Sequence, residues 1–113
     1  SYSITSYDLN NNASQGMTSI VDTSNGLHPF KSTSIKNPAK KILFAEEQTS
    51  TSRLGEYSDN TGSIINDGRW VPDGSDRLTS RHNKKADVGF ADGHVQPVTW
   101  QFGMNIDNSR PDR

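Results

Sequence analysis

The stretch ADVGFADGHVQPV, residues 86–98, carries the strongest local fold signal in the chain. Two strand-like runs flank Asp92-Gly93, a dipeptide typical of two-residue hairpin turns because both turn positions need positive φ. In that register Ala91 pairs with His94 and Phe90 with Val95, and opposed residues share a face. The predicted core face therefore consists of Val88, Phe90, Val95 and Pro97. Pro97 has no N–H to donate, which predicts that the second strand is an edge strand or ends there.

A second buried element is predicted further upstream. Ile42-Leu43-Phe44-Ala45 is a run of four apolar residues between Lys40-Lys41 and Glu46-Glu47. Such a run, bounded by charge, is typical of a central strand covered on both faces. Asn37-Pro38 precedes it, and the residue before proline favours extended geometry. The glutamates at its end point to opposite faces of a strand, so they are poorly placed as a catalytic pair.

The remainder of the chain predicts short strands and long loops. Tyr2, Ile4 and Tyr7 alternate with polar residues, residues 48–63 are almost wholly polar, and Arg69-Trp70-Val71 predicts a short strand. We therefore expect a mainly β fold, a small antiparallel sheet with long loops and little helix. The predicted domain covers residues 1–102, followed by a polar C-terminal tail, 103–113.

Composition limits the function classes. Of 113 residues only 29% are hydrophobic, the net charge is -1, and there is no cysteine, while the mean hydropathy is -0.84. The absence of cysteine excludes a disulfide scaffold, cysteine-ligated zinc and a thiol nucleophile. No basic face suited to nucleic acid is visible, and no apolar run approaches the roughly 18 residues that span a membrane. The low apolar content predicts either much loop or a core completed by a further segment.

The stretch His82 to Val95 also matches a known pattern: a His, nine intervening residues, then Asp92-Gly93. It resembles the signature of a C-terminal domain of prepilin-like proteins, related to type II secretion pseudopilins. The segment from Ile35 to Glu46 is similar to the family's Pro-Ala-x-x-Ile-Leu-Phe-Ala-acidic strand, and Ser1-Tyr2-Ser3 is a weaker third match. The resemblance implies a pilin-like globular head, or an α+β protein if an absent N-terminal helix is counted.

The same resemblance implies a structural function. Such proteins begin with a leader cut by a prepilin peptidase and a long apolar helix, neither of which matches any part of these residues. The helix would anchor the protein in the inner membrane before assembly and then pack into a pseudopilus. We therefore expect a non-enzymatic subunit of the cell envelope, on its periplasmic or extracellular face. Its partners would be other pilin-like subunits, with membrane contact only through that helix and no nucleic acid.

The signature residues His82, Asp92, Gly93 and His94 have two interpretations. Asp92-Gly93 forms a turn, and His82 ties the preceding loop to the sheet by hydrogen bonds; this structural interpretation has a sufficient local cause. Alternatively, His82 is a ligand or an acid–base group paired with Asp92. Either Glu46 or Glu47 is also placed to meet His82 or a cation at the strand end.

Two further functions stay open from the residues alone. Trp70 and Tyr57 are candidates for a glycan- or protein-binding surface of a secreted module, although such aromatics are more often half-buried. Glu46, His82 and Asp92 are candidate ligands of a metal-dependent hydrolase. No cofactor is expected, apart from a structural calcium ion by analogy with some secretion pseudopilins, and no residue is expected to do covalent chemistry. No nucleophile elbow, phosphate loop or dinucleotide fingerprint occurs in the sequence.

Overall fold

Two sheets and one short α-helix account for most of the secondary structure in the described residues. The computed structural model describes residues 2–5, 17, 20–22, 26–28, 32–48, 68–71 and 76–111. The strands are β1 (Tyr2–Thr5), β2 (Ile20–Asp22), β3 (Gly26–His28), β4 (Ile42–Glu46), β5 (Arg69–Trp70), β6 (Ala86–Phe90) and β7 (Val95–Val98). The helix is α1 (Trp100–Met104), and short 3₁₀ turns cover Ser32–Ser34, Pro38–Lys40 and Ile106–Asn108.

The main sheet has five strands in the order β5-β1-β4-β6-β7, and β2 and β3 form a separate hairpin. All neighbours in the main sheet are antiparallel except β1 and β5, which are parallel. The predicted mainly β class is thus confirmed, and the run after Lys41 forms the central strand. The extended geometry expected before Pro38 was wrong, because Asn37 has a φ of 51°. The predicted loop of residues 48–63 lies, apart from Gln48, outside the described residues. Among the described helices, none is long and apolar enough to cross a membrane.

The β6–β7 hairpin differs by one residue from the predicted register. Gly89 pairs with Val95 and Val88 with Gln96, so the connection is a three-residue loop, 91–93. The Gly93 N–H donates to the Phe90 carbonyl, the Phe90 N–H donates to the His94 carbonyl, and Gly93 has a φ of +94°. A turn followed by a positive-φ glycine is the usual form of a three-residue hairpin loop. The two-residue turn was therefore wrong, although glycine is still required.

The one-residue shift moves Val95 to the opposite face of the sheet. A register shift of one exchanges inward and outward positions along a strand. Val88 and Phe90 are buried as predicted, but Val95 is 69% exposed, and Pro97 is also exposed. The core-face assignment of Val95 and Pro97 was thus wrong. β7 is an edge strand, as the missing N–H of Pro97 predicted.

The prediction that β4 is covered on both faces was wrong, and a register irregularity determines which of its residues face the core. Ile42 pairs with Phe90, but Phe44 pairs with Gly89, so β4 contains one extra residue between these positions. Such a bulge resets the alternation of side chains. Ile42 and Ala45 consequently both face the core, whereas Phe44 points to the other face and is 46% exposed.

The core lies on the other side of the sheet, where this chain closes it by itself. Trp70, Leu78, Val88 and Phe90 are buried together, and Trp100 and Phe102 pack against them. Val88 and Phe90 are thus covered by side chains of the described residues.

Residues 103–111, the described part of the predicted polar tail, pack against the sheet. Gly103, Ser109 and Arg110 are buried. The indole Nε1 of Trp70 donates a 2.9 Å hydrogen bond to the Ser109 hydroxyl. Lys41 Nζ donates to the backbone carbonyl of Asp107. These two bonds join the Ser109 hydroxyl and the Asp107 carbonyl to the sheet. Because buried polar groups are tolerated when they are hydrogen-bonded, this polar segment can be buried.

Candidate functional site

Strand β6 determines the spacing of the His-to-Asp-Gly signature. The nine residues between His82 and Asp92 are a two-residue turn, Lys85, the five residues of β6 and Ala91. His82 therefore lies at one end of the strand and Asp92 at the other. A five-residue strand spans roughly 13 Å, so the side chains at its two ends do not meet. The hypothesis that His82 and Asp92 act as an acid–base pair is wrong.

The His82 end of β6 is a tight turn. His82 and Lys85 exchange both backbone hydrogen bonds, at 3.1 and 3.0 Å. The two residues between them have positive φ, 51° at Asn83 and 63° at Lys84. Hairpins with two central residues of positive φ match the right-handed twist of the strands. This turn aims His82 back across β6 towards the end of β4.

The Asp92 end of β6 is held by local hydrogen bonds. Both the backbone N–H and Nδ1 of His94 approach Asp92 Oδ1. The side-chain hydrogen bond with His94 lowers the pKa of Asp92 below its ordinary value. His94 also stacks on Phe90, with ring centroids 4.3 Å apart and an interplanar angle of 2°. The structure thus gives Asp92, Gly93 and His94 a turn-forming arrangement.

A cluster of charged side chains joins the two stretches that carry the resemblance. Glu46, the last residue of β4, is only 6% exposed. Arg81 Nη2 donates to its Oε1 at 3.0 Å, and His82 Nε2 lies 3.0 Å from its Oε2. Asp87, on the neighbouring strand, completes a group whose potential ligand atoms all lie within 4.8 Å of one another. We call Glu46, Arg81, His82 and Asp87 the β4–β6 cluster.

The prediction that one glutamate meets His82 is confirmed, and Glu46 is the residue. Its neighbour Glu47 is fully buried beside Leu78, with which it forms an isolated β-bridge. The segment 77–79 runs along this end of β4, because the Thr79 N–H donates to the Glu46 carbonyl and the Gln48 N–H to the Arg77 carbonyl. The Glu46 side chain is 8% exposed and is held by its contacts with Arg81 and His82.

The predicted metal ligands are only partly brought together. Glu46 and His82 are neighbours, whereas Asp92 is at the far end of β6 and Asp87 takes its place. A calcium site needs six or more oxygen ligands. The cluster has two carboxylates and an imidazole, a set that suits zinc or another transition ion better.

The predicted aromatic binding surface does not form around Trp70. Its side chain is 0% exposed in the core, with the indole N–H donating to Ser109. Trp70 therefore cannot present a ring to a glycan or a partner in this structure. Tyr57, the other candidate, lies outside the described residues.

A different surface, which the sequence did not predict, is exposed on the outer face of the main sheet. Ile4, Phe44, Gly89 and Val95 are paired in register across β1, β4, β6 and β7 and form one apolar row. Tyr2, on the same face, is 64% exposed. The β4–β6 cluster borders this row, because Glu46 pairs with Tyr2 and Asp87 with Pro97. We call this surface the outer face.

Arg81 and Asp87 were missed as members of the cluster. Arg81 directly precedes His82, so a turn that aims His82 at Glu46 brings it along. Asp87 precedes Val88, which pairs with Ala45 next to Glu46. If the apolar runs of β4 and β6 had been paired with Ala45 opposite Val88, the proximity of Glu46 and Asp87 would have been predicted. The signal was present, but register between distant strands does not follow from either run alone.

Comparisons with known proteins found no relative of this chain. No protein-family model matches the chain, and no curated protein or solved structure matches it.

Proposed function

We propose that this chain is the globular head of a pilin-like structural subunit of the cell envelope, of the pseudopilus or type IV pilus-like kind. The observation that carries the proposal is the contact between the two stretches that resemble the family. The Ile42–Glu46 strand and the His82-to-Val95 signature lie side by side in one sheet, and Glu46 joins them through Arg81 and His82. A signature whose residues form turns and a strand-to-loop ion pair is expected of a structural module.

The outer face supports the same proposal. Tyr2 and Val95 are 64% and 69% exposed, and Phe44 is 46% exposed, on one side of the sheet. Exposed apolar groups that are contiguous usually mark a contact surface. We assign this face to the apolar N-terminal helix that the resemblance implies. Assembly would then proceed through that helix, with the opposite side of the sheet presented outward.

The other two candidate functions have less support. A glycan-binding module using Trp70 conflicts with the burial of that side chain. A metal-dependent hydrolase built on Glu46, His82 and Asp92 conflicts with the position of Asp92 at the far end of β6. Of the three hydrolase candidates, only Glu46 and His82 are in contact.

The coding sequence upstream of Ser1 tests the proposal directly. We expect a prepilin-peptidase leader junction followed by about 20 apolar residues, enough for a helix that spans a bilayer. A catalytic domain upstream, in place of such a helix, would refute the proposal.

A matched pair of variants tests the outer face in the full-length precursor. Val95→Lys places a charge on the outer face at a highly exposed position, so the head should fold normally while recovery of the protein in sheared surface assemblies falls. Gln101→Lys is the control, because Gln101 is exposed on α1, which packs on the opposite, core side of the sheet. Equal recovery of the two variants would contradict the assignment of this face.

A further inference from the structure

We propose that Glu46, His82 and Asp87 bind one borderline transition-metal ion, with Zn²⁺ as the representative ion. Their potential ligand atoms lie within 4.8 Å of one another, and His82 Nε2 is already 3.0 Å from Glu46 Oε2. Three side chains from two neighbouring strands and one turn thus surround one point. This inference does not depend on the proposed envelope function.

The arrangement of the two carboxylates calls for a cation between them. Ala45 pairs with Val88, so Glu46 and Asp87 lie side by side on the outer face of β4 and β6. Like charges at opposed strand positions are unfavourable unless a counter-charge intervenes. Arg81 provides one at Glu46 Oε1. A ring nitrogen of His82 lies within 4.8 Å of an Asp87 carboxylate oxygen, so a cation shared by the three side chains would neutralise both carboxylates.

The Arg81 contact at Oε1 favours metal binding through Oε2 of the Glu46 carboxylate. Arg81 Nη2 donates to Oε1 at 3.0 Å, His82 Nε2 lies 3.1 Å from Oε1 and 3.0 Å from Oε2, and the backbone N–H of Asp87 is 3.5 Å from Oε2. The Glu46 side chain is 8% exposed, whereas the His82 side chain is 52% exposed. A metal ion bound to Oε2 would therefore have a fixed ligand on the protein side and room for water on the solvent side. Fixed ligands and a hydrogen-bonded carboxylate are the usual features of a protein metal site.

The ligand chemistry selects the ion. One imidazole nitrogen and two carboxylate oxygens, with water as the fourth ligand, match the tetrahedral preference of Zn²⁺. Ca²⁺ takes six to eight oxygen ligands and seldom accepts imidazole, so it is expected to be rejected. Such a site would cross-link β4, β6 and the turn at His82.

Isothermal titration of the metal-free 113-residue chain with ZnCl₂ and with CaCl₂ tests this site. We expect one Zn²⁺ per chain, with a Kd well below about 1 mM, and no heat of binding with Ca²⁺. His82→Gln and Asp87→Asn should each weaken Zn²⁺ binding about tenfold or more. His94→Gln is the matched control, since His94 also has a carboxylate partner, Asp92, but lies at the far end of β6. It should leave Zn²⁺ binding unchanged.

Thermal unfolding in the absence of metal shows whether the two ligand variants still fold, so that a loss of Zn²⁺ binding can be assigned to the missing ligand. Both ligand variants should unfold cooperatively without Zn²⁺, and added Zn²⁺ should raise the midpoint of the parent chain and of His94→Gln but not of His82→Gln. Three results would each overturn the inference. These are undetectable Zn²⁺ binding to the parent chain, parent-like binding by His82→Gln, and an equal loss of binding in His94→Gln.

Discussion

Adding one methyl group at Gly103 is expected to destabilise the protein, although the same change usually stabilises a helix. A Cβ atom at Gly103 would lie 2.7 Å from Leu78 Cδ1 and Cγ and 3.1 Å from Trp70 Cζ2. Leu78 and Trp70 are 1% and 0% exposed, so neither can turn towards solvent to make room. Gly103→Ala therefore forces a displacement within the core.

The magnitude follows from two opposing effects. Overpacking of a well-packed core costs about 1–3 kcal/mol, and we take the upper half because both neighbours are fully buried. Alanine in place of glycine inside a helix returns about 1 kcal/mol. The expected net loss is about 1–2 kcal/mol in the free energy of unfolding. For a chain of this size about 4 °C corresponds to 1 kcal/mol, so the thermal midpoint should fall by about 4–8 °C.

Gly89→Ala provides the matched control for this prediction. A Cβ atom at Gly89 would lie 3.5 Å from Phe44 Cβ and Cδ2, which is an ordinary contact, and its φ is not in the positive region. Alanine in a strand interior is more favourable than glycine by about 0.5–1 kcal/mol. Urea unfolding should therefore place the two variants on opposite sides of the parent chain. A Gly103→Ala variant as stable as the parent, or more so, would refute the packing of α1 described above.

Three further predictions concern the two ends of β6. Arg81→Ala should destabilise the protein by about 1–2 kcal/mol in urea unfolding, because it removes a charge-assisted bond from the buried Glu46 carboxylate, discounted for the partial exposure of Arg81. Lys84→Gly should stabilise it by about 0.5–1 kcal/mol, because φ at Lys84 is 63°. The pKa of Asp92 is lowered in the folded state by its bond with His94, so Asp92 contributes stability above its unfolded pKa, and that contribution is lost as the pH falls through the folded value. Asp92→Asn should therefore destabilise the protein at neutral pH, and its stability deficit in urea melts should vanish at acidic pH.

Each of these predictions has a control or an opposing outcome. Lys85→Gly, at a position without positive φ, should not stabilise the protein; if it does so as much as Lys84→Gly, the turn assignment fails. Arg81→Lys should retain part of the stability, since it keeps the charge. An Arg81→Ala variant with unchanged stability would mean that the bond between Arg81 and Glu46 contributes no net stability. A pH-independent deficit for Asp92→Asn would show that its bond with His94 contributes no charge-dependent stability.

Much of the fold was predictable because its strongest elements have local causes. The central strand follows from four apolar residues between charges, and the hairpin from Asp92-Gly93. The loop length was not predictable in the same way. Asp-Gly suits the last two positions of a three-residue loop as well as a two-residue turn, and the choice depends on which face of β6 the core needs. Burial of Phe90 against Phe102, at a centroid distance of 5.9 Å, favours the observed register.

The C-terminal segment shows a different limit of sequence reasoning. Residues 103–113 are polar, and polarity alone predicts exposure. In the structure Ser109 is buried because its hydroxyl accepts the indole N–H of Trp70, and Gly103 because only a hydrogen fits against Leu78. Both are cases in which a distant residue, not the local pattern, decides burial. The hydrogen bond between Trp70 and Ser109 joins residues 39 positions apart, and such a pair produces no periodic pattern in the sequence.

The signature is best understood as two structural devices separated by one strand. At one end of β6, the turn at His82 places the imidazole against Glu46 and so connects β6 to β4 through side chains. At the other end, Asp92 and Gly93 form the loop that joins β6 to β7. A change in the number of residues between His82 and Asp92 would turn one of these two side chains to the opposite face of the sheet, because each added residue reverses the side-chain direction. The spacing therefore has a physical cause that requires no catalysis. Insertion of one alanine after Lys85 should accordingly separate His82 from Glu46 while leaving the hairpin intact, and loss of both contacts together would contradict this division.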